Sequence, residues 1–143
     1  MSPFDFDEVV EQYHLALDEY VKGNPEPEMM MWSHREDVTL SNPFGPVVRG
    51  WEQVAAVAER AASQLRDGEI VGYEIVAKYV TAELAYLVEI ERAKAKLVAS
   101  QDIAPITLRV TTIFRPEDGF WKVVHRHADP ITTAQPIESV IQK

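Results

Sequence analysis

Apolar and polar residues alternate with different periods in the two halves of this 143-residue chain. In the first half the spacing is helical. Phe6, Val10, Tyr13, Leu17 and Tyr20 recur every three or four residues, with Val9 and Val21 beside them. Asp5, followed three residues later by Glu8, makes a capping-box start, and Gly23 supplies a left-handed stop. Together they predict a helix of about 18 residues. Asn24-Pro25 opens a short second helix through Met29, Met30 and Trp32. From Trp51 to about Arg66 the helical stripe returns in Val54, Val57 or Ala58, Ala61 and Leu65, and Asp67-Gly68 ends it. Residues 38–41 and 47–48 read as brief strands around a turn imposed by Pro43, Gly45 and Pro46.

The second half has the period of strands. Residues 70–80, 84–94, 106–115 and 120–128 are rich in Val, Ile, Tyr, Phe, Trp and Thr. Pro116-Glu117-Asp118-Gly119 is a turn that should join the last two as a hairpin. Helices first and an antiparallel meander afterwards define an α+β fold, not an alternating one. Three helices must then cover one face of a strongly bent sheet. A bent sheet with such a cover encloses a cavity, a common setting for a small-molecule site.

Composition narrows the function. Length and ordinary values of 46% hydrophobic and 26% charged residues suit one domain over 1–143, with 130–143 as a C-terminal extension. The absence of cysteine removes disulfides, thiolate metal sites and cysteine nucleophiles, and fits a cytoplasmic setting. The N-terminus has no basic region or apolar core of a secretory signal, and no apolar run approaches the roughly 20 residues that span a bilayer. A net charge of −9 repels phosphate backbones, and Arg92, Lys94 and Lys96 read as a solvated strand end. Neither a nucleic acid nor a membrane is expected as a partner.

Two stretches carry a family resemblance. The run from Val38 through Asn42-Pro43-Phe44-Gly45-Pro46 to Gly50-Trp51 and Val54 resembles the nuclear-transport-factor-2-like superfamily, above all its ketosteroid isomerases and SnoaL-like polyketide cyclases. The closing run from Phe114 through Pro116-Glu117-Asp118-Gly119 to His127 is similar to the last hairpin of the SnoaL-like members, and to the association domain of calcium/calmodulin-dependent kinases. The resemblance implies a cone-shaped half-barrel around a pocket. A homodimer packed through the convex face is also expected, because strands 84–94, 106–115 and 120–128 carry more apolar and aromatic surface there than a monomer should expose. Such a superfold hosts isomerases, cyclases, hydrolases and non-enzymatic adaptors, so fold alone does not fix activity.

The departures from the isomerase pattern are informative. Asn42 stands where those enzymes have a general-base aspartate, and an amide cannot accept and return a proton at neutral pH. Tyr13 or Tyr20 matches their oxyanion tyrosine, while Thr111 or Val110 replaces their neutral aspartic acid. Limonene-epoxide hydrolases share the fold and carry an asparagine like Asn42, but their Asp–Arg–Asp arrangement is here Arg126 with Glu89 and Glu91 on a preceding strand.

The resemblance turns Val124, Arg126 and Ala128 towards the pocket, and with them Arg109, Thr111 and Ile113. Two arginines converging there would suit a carboxylate or an enolate-like anion. The alternative is a structural ion pair with Glu89, Glu91 or Asp129. His125, His127 and Asp129 share the other strand face, where a metal would need a further ligand, so none is expected. Trp32, Phe44 and Tyr86 are core or pocket wall. The expected function is binding, and conversion if the protein is an enzyme, of a small hydrophobic or anionic organic molecule without a cofactor. Asn42 and Arg126 would polarise a carbonyl, with Tyr13, Tyr20 or His127 carrying the proton. A dimeric ligand sensor or interaction module is the competing class.

Overall fold

The computed structural model describes residues 5–142; residues 1–4 and 143, the two ends of the expected domain, lie outside the described residues. Helix α1 (Phe6–Tyr20) starts where the Asp5 carboxylate accepts from the backbone N–H groups of Asp7 and Glu8, and Gly23 follows it at φ 102°. A short α2 (Glu26–Met30), strands β1 (Thr39–Ser41) and β2 (Val48–Arg49), and α3 (Trp51–Ala62) complete the first half. The second half is four long strands: β3 (Leu65–Val80), β4 (Ala85–Leu97), β5 (Ile103–Glu117) and β6 (Phe120–Asp129). A two-residue turn at Asp118 and Gly119, both at positive φ, joins β5 to β6. A 3-10 turn, Ile137–Val140, lies in the exposed segment beyond them.

The strands form one sheet in the order β2-β1-β6-β5-β4-β3, antiparallel except where β1 runs parallel to β6. Bulges bend it. Three interrupt the β3–β4 register, and one sits between Ile113 and Phe114 of β5, opposite Val124. Each extra residue sharpens local twist and curvature. The result is the open, cone-like α+β sheet expected, with its helices on the concave side. There Phe6 meets Phe114 and Trp121 edge-on at 5.0 and 5.5 Å, and Tyr13 meets Phe114 at 5.7 Å.

Two expectations fail locally. Asp67-Gly68 does not close the third helix, which ends at Ala62; it forms the first bulge of β3, with Asp67 at φ 54°. Gly68 is needed for contact: a Cβ there would lie 2.0 Å from the carbonyl oxygen of Val21. The end of α1 and the start of β3 therefore pack backbone to backbone.

Strand faces are the second failure. Val110, Thr112 and Phe114 of β5 are buried on the concave face, so Arg109, Thr111 and Ile113 point outwards. On β6, Trp121 and Val123 point inwards, the bulge absorbs Val124, and Arg126 and Ala128 point inwards after it. Simple alternation along β6 could not foresee that change of parity.

Candidate functional site

The concave face closes over a cavity of about 590 Å³. Its depth can be followed along β4. Glu91 and Ala93 are buried, and Leu97 at the far end is 45% exposed. Strand pairing places Leu108 beside Glu91 and Ile106 beside Ala93 on β5, with Ile70 and Leu65 of β3 opposite Ala93 and Leu97. On the other side, Leu40 of β1 is level with Arg126 and Ser41 with His127. Asn42 therefore sits one step nearer the mouth than Arg126. Phe44, Gln64 and Leu97 are the exposed residues that bound the mouth.

Polar groups gather at the closed end. Arg126 donates from Nη1 and Nη2 to the Glu91 carboxylate at 3.0 and 2.8 Å, and from Nη1 to the Tyr13 hydroxyl at 3.1 Å. Among the described residues none accepts from its Nε. Burial alone would lower the Arg126 pKa, but Glu91 beside it holds the guanidinium well above its ordinary value. Burial likewise pushes the hydroxyls of Tyr13 and Tyr20 well above the ordinary tyrosine range. The Tyr20 hydroxyl is already committed, donating to the carbonyl of Ala58 at 2.8 Å.

Glu28 is the unusual member. It lines the cavity from α2, only 4% exposed, and its Oε1 accepts from the Trp32 indole at 2.7 Å. Among the described residues its Oε2 has no hydrogen-bond partner, and it is shielded from solvent. Burial raises its pKa, against the opposing pull of the Trp32 hydrogen bond and Arg126. A raised pKa makes the ionised carboxylate a stronger base than an ordinary one.

A second buried carboxyl lies apart from this group. Glu89, fully buried, accepts from His14 Nε2 at 2.8 Å, and His14 stacks on Tyr73 with ring centroids 3.6 Å apart. Neither residue lines the cavity.

The sequence-derived candidates divide accordingly. Tyr20, Trp32, Asn42, Phe44 and Arg126 line the cavity, and Tyr13 lies fully buried behind Arg126. Four others lie on the convex side. Arg109 donates from Nε to Asp129 at 2.6 Å in an exposed pair. Thr111 shares its outward orientation. His127 is 54% exposed, 3.4 Å from Asp129, and Tyr86 stacks on Tyr79. Val124 occupies the bulge and packs on the core rather than on the cavity. The two arginines therefore do not converge; each has a carboxylate partner of its own. The convex placement of His127 removes it as a proton carrier for the cavity.

Sequence reading overlooked Glu28. The available signal was its position four residues before Trp32, which puts an acid and an indole on one helical face within a run of methionines. Gln64, at the mouth, carried no signal because it lay within the overextended third helix.

Comparison with known proteins supports the architecture. An NTF2-like superfamily protein from Salmonella enterica superposes with a TM-score of 0.76 at 16% identity, covering 95% of each chain. A ketosteroid isomerase-like protein from Erwinia carotovora gives 0.72 at 16% identity, over 89% of this chain and 94% of that one. A candidate scytalone dehydratase from Novosphingobium aromaticivorans gives 0.71 at 15%, over 90% and 94%. At such identities these likenesses concern the fold alone. No curated protein matches the sequence. The SnoaL-like domain model, however, matches residues 8–132, and the chain belongs to that family.

Proposed function

We propose that this protein binds and converts a small, neutral, mainly apolar organic molecule bearing a carbonyl or hydroxyl group, by proton transfer next to that group. The observation that carries the reading is Glu28, a cavity-lining carboxyl of raised pKa that accepts from Trp32 through Oε1 and lies within the electrostatic reach of Arg126 and Glu91. A neutral ligand is favoured over an anion by charge. The cavity arginine Arg126 is already balanced by Glu91 in a two-pronged pair, so a carboxylate ligand would enter without a counter-charge. The Nε–H of Arg126 remains to polarise a carbonyl oxygen, and the Asn42 amide lies one step above it.

In the mechanism, Glu28 turns its Oε2 from the buried resting position to the ligand and, ionised, takes a proton from the carbon next to the carbonyl. The C–H electron pair forms a carbon–carbon double bond, and the carbonyl π electrons move to oxygen, opposite the Arg126 donor. Protonated Glu28 then returns the proton to the γ-carbon of the dienolate where the substrate is a β,γ-unsaturated ketone, which moves the double bond into conjugation, or to a departing β-hydroxyl, which leaves as water. The neighbours named isomerase-like and dehydratase agree with this class through their names alone. Assembly as a homodimer through the convex face belongs to the same proposal. Its support is the apolar surface left on β3 and β4 at Val71, Val76 and the stacked Tyr79 and Tyr86.

Deuterium exchange tests the chemistry. A panel of cyclic ketones and β-hydroxy ketones in D₂O, followed by NMR, should show enzyme-dependent exchange or water loss for at least one member. Glu28→Gln should lower it about 100-fold or more. Undiminished turnover in that variant removes Glu28 from the mechanism, and tight binding without any turnover leaves a non-catalytic binding module.

A further inference from the structure

The cavity has a direction. Its charged groups lie at the closed end, in Arg126, Glu91 and Glu28, whereas the path outwards along Ala93, Ile106 and Ile70 is apolar, with the neutral amides of Asn42 and Gln64 on the opposite wall and at the mouth. From Glu91 to Leu97 this path covers six residues of one strand, or about 20 Å at roughly 3.3 Å per residue. The apolar character continues past the mouth. Phe44 and Leu97, which line the mouth, are 70% and 45% exposed. Isolated exposed apolar residues need no explanation, but these adjoin the opening of an apolar channel.

We infer that the substrate is an amphiphile which enters head first, its neutral oxygen-bearing head reaching Arg126 and Glu28 and its extended hydrocarbon tail filling the channel to Leu97. This deepens the function proposed above and rests on it. A compact ring would fill only the closed end and leave the apolar channel to water. A tail displaces that water, and each buried methylene should strengthen binding about fourfold. The gain should stop once the chain clears Leu97 and further carbons emerge into solvent. Charge sets the second condition. A fatty acid of equal length brings a carboxylate to an arginine that Glu91 already neutralises, close to the Glu28 carboxyl.

Titration calorimetry with 2-alkanones of increasing length, and with the matching fatty acids at pH 8, tests the inference. The expected result is a stepwise rise of about fourfold per methylene followed by a plateau, with each acid at least tenfold weaker than its ketone. Ala93→Leu, which narrows the channel midway, should abolish the gain for long chains and spare the shortest ketones. Leu97→Arg, at the exposed mouth, should move the plateau to shorter chains, and so covers the case in which Ala93→Leu misfolds. Binding that does not depend on chain length, or acids that bind better than ketones, overturns the head-first amphiphile. Binding of cyclic ketones without any alkanone overturns it while sparing the proposed function. Failure of every neutral carbonyl compound to bind overturns both.

Discussion

Removing Arg126 should strand a buried charge, and the size of the effect follows from its surroundings. Arg126 and Glu91 are 9% and 6% exposed and joined by two hydrogen bonds of 2.8 and 3.0 Å. Arg126→Met keeps the volume of the side chain and leaves the Glu91 carboxylate in the cavity wall without its counter-charge. Breaking one side of a buried pair costs about 3–5 kcal/mol. In a chain of this size that is a fall in Tm of about 10–20 °C. Replacing both partners, as in Arg126→Met with Glu91→Leu, removes the stranded charge and should recover most of the loss, because an apolar pair of similar volume is often as stable as the ion pair. Arg109→Met is the control. Its partner Asp129 is met on the exposed convex face, so no shift should be measurable. Urea denaturation of wild type, Arg126→Met, Glu91→Leu and the double variant yields the coupling energy directly. A loss below about 1 kcal/mol for Arg126→Met, together with carboxylates that stabilise wild type but not the variant, would refute the reasoning and make Arg126 an anion-binding group.

Three further outcomes are expected. The folded-state pKa of Glu28 lies above its unfolded value, so the native state holds the extra proton; stability should fall as pH rises from the ordinary carboxyl range through the folded pKa, and stay low above it. Glu28→Gln, which keeps an acceptor for Trp32, should flatten that slope and be the more stable protein at pH 8, as thermal denaturation from pH 4 to 9 would show. Gly68→Ala should destabilise by about 1–3 kcal/mol in chemical denaturation, since its methyl meets the Val21 backbone and one of the two chains must move. Sedimentation at micromolar concentration should find a dimer burying more than about 1,000 Å², and a purely monomeric species would remove the convex-face interface.

Elements with a strong local period were legible in the sequence. The Asp5 cap, the Gly23 stop and the Asp118-Gly119 turn each follow from one residue's own chemistry, and all three occur. Element ends were less so. Asp67-Gly68 carries the signature of a helix stop, but its position is decided by the close approach of Val21, a contact between segments that no local pattern encodes. The site was legible only in part. Arg126, Asn42, Trp32, Tyr20 and Phe44 reach the cavity. Arg109, Thr111, Tyr86 and His127 do not. The resemblance set Arg109 and Thr111 inward with Arg126, whereas the register pairs Arg126 with Thr112 and puts Arg109 and Thr111 beside Asp129 and His127 on the convex face; alternation itself places His127 opposite Arg126. Glu28 escaped notice because an acid in a short, acidic helix reads as solvated surface. Only the tertiary fold, which lays that helix over the cavity, turns it into a buried carboxyl.

The central claim is that a neutral oxygen function sits against Glu28 and Arg126 at the closed end of the cavity. A crystal structure of the protein soaked with 2-decanone tests it most directly. The ketone oxygen should lie within about 3.2 Å of a donor on Arg126, its first carbons beside Glu28, and the chain should run past Ala93 towards the mouth. A ketone oxygen at the mouth near Gln64, or a closed end filled by rearranged side chains with no room for the head, would contradict it.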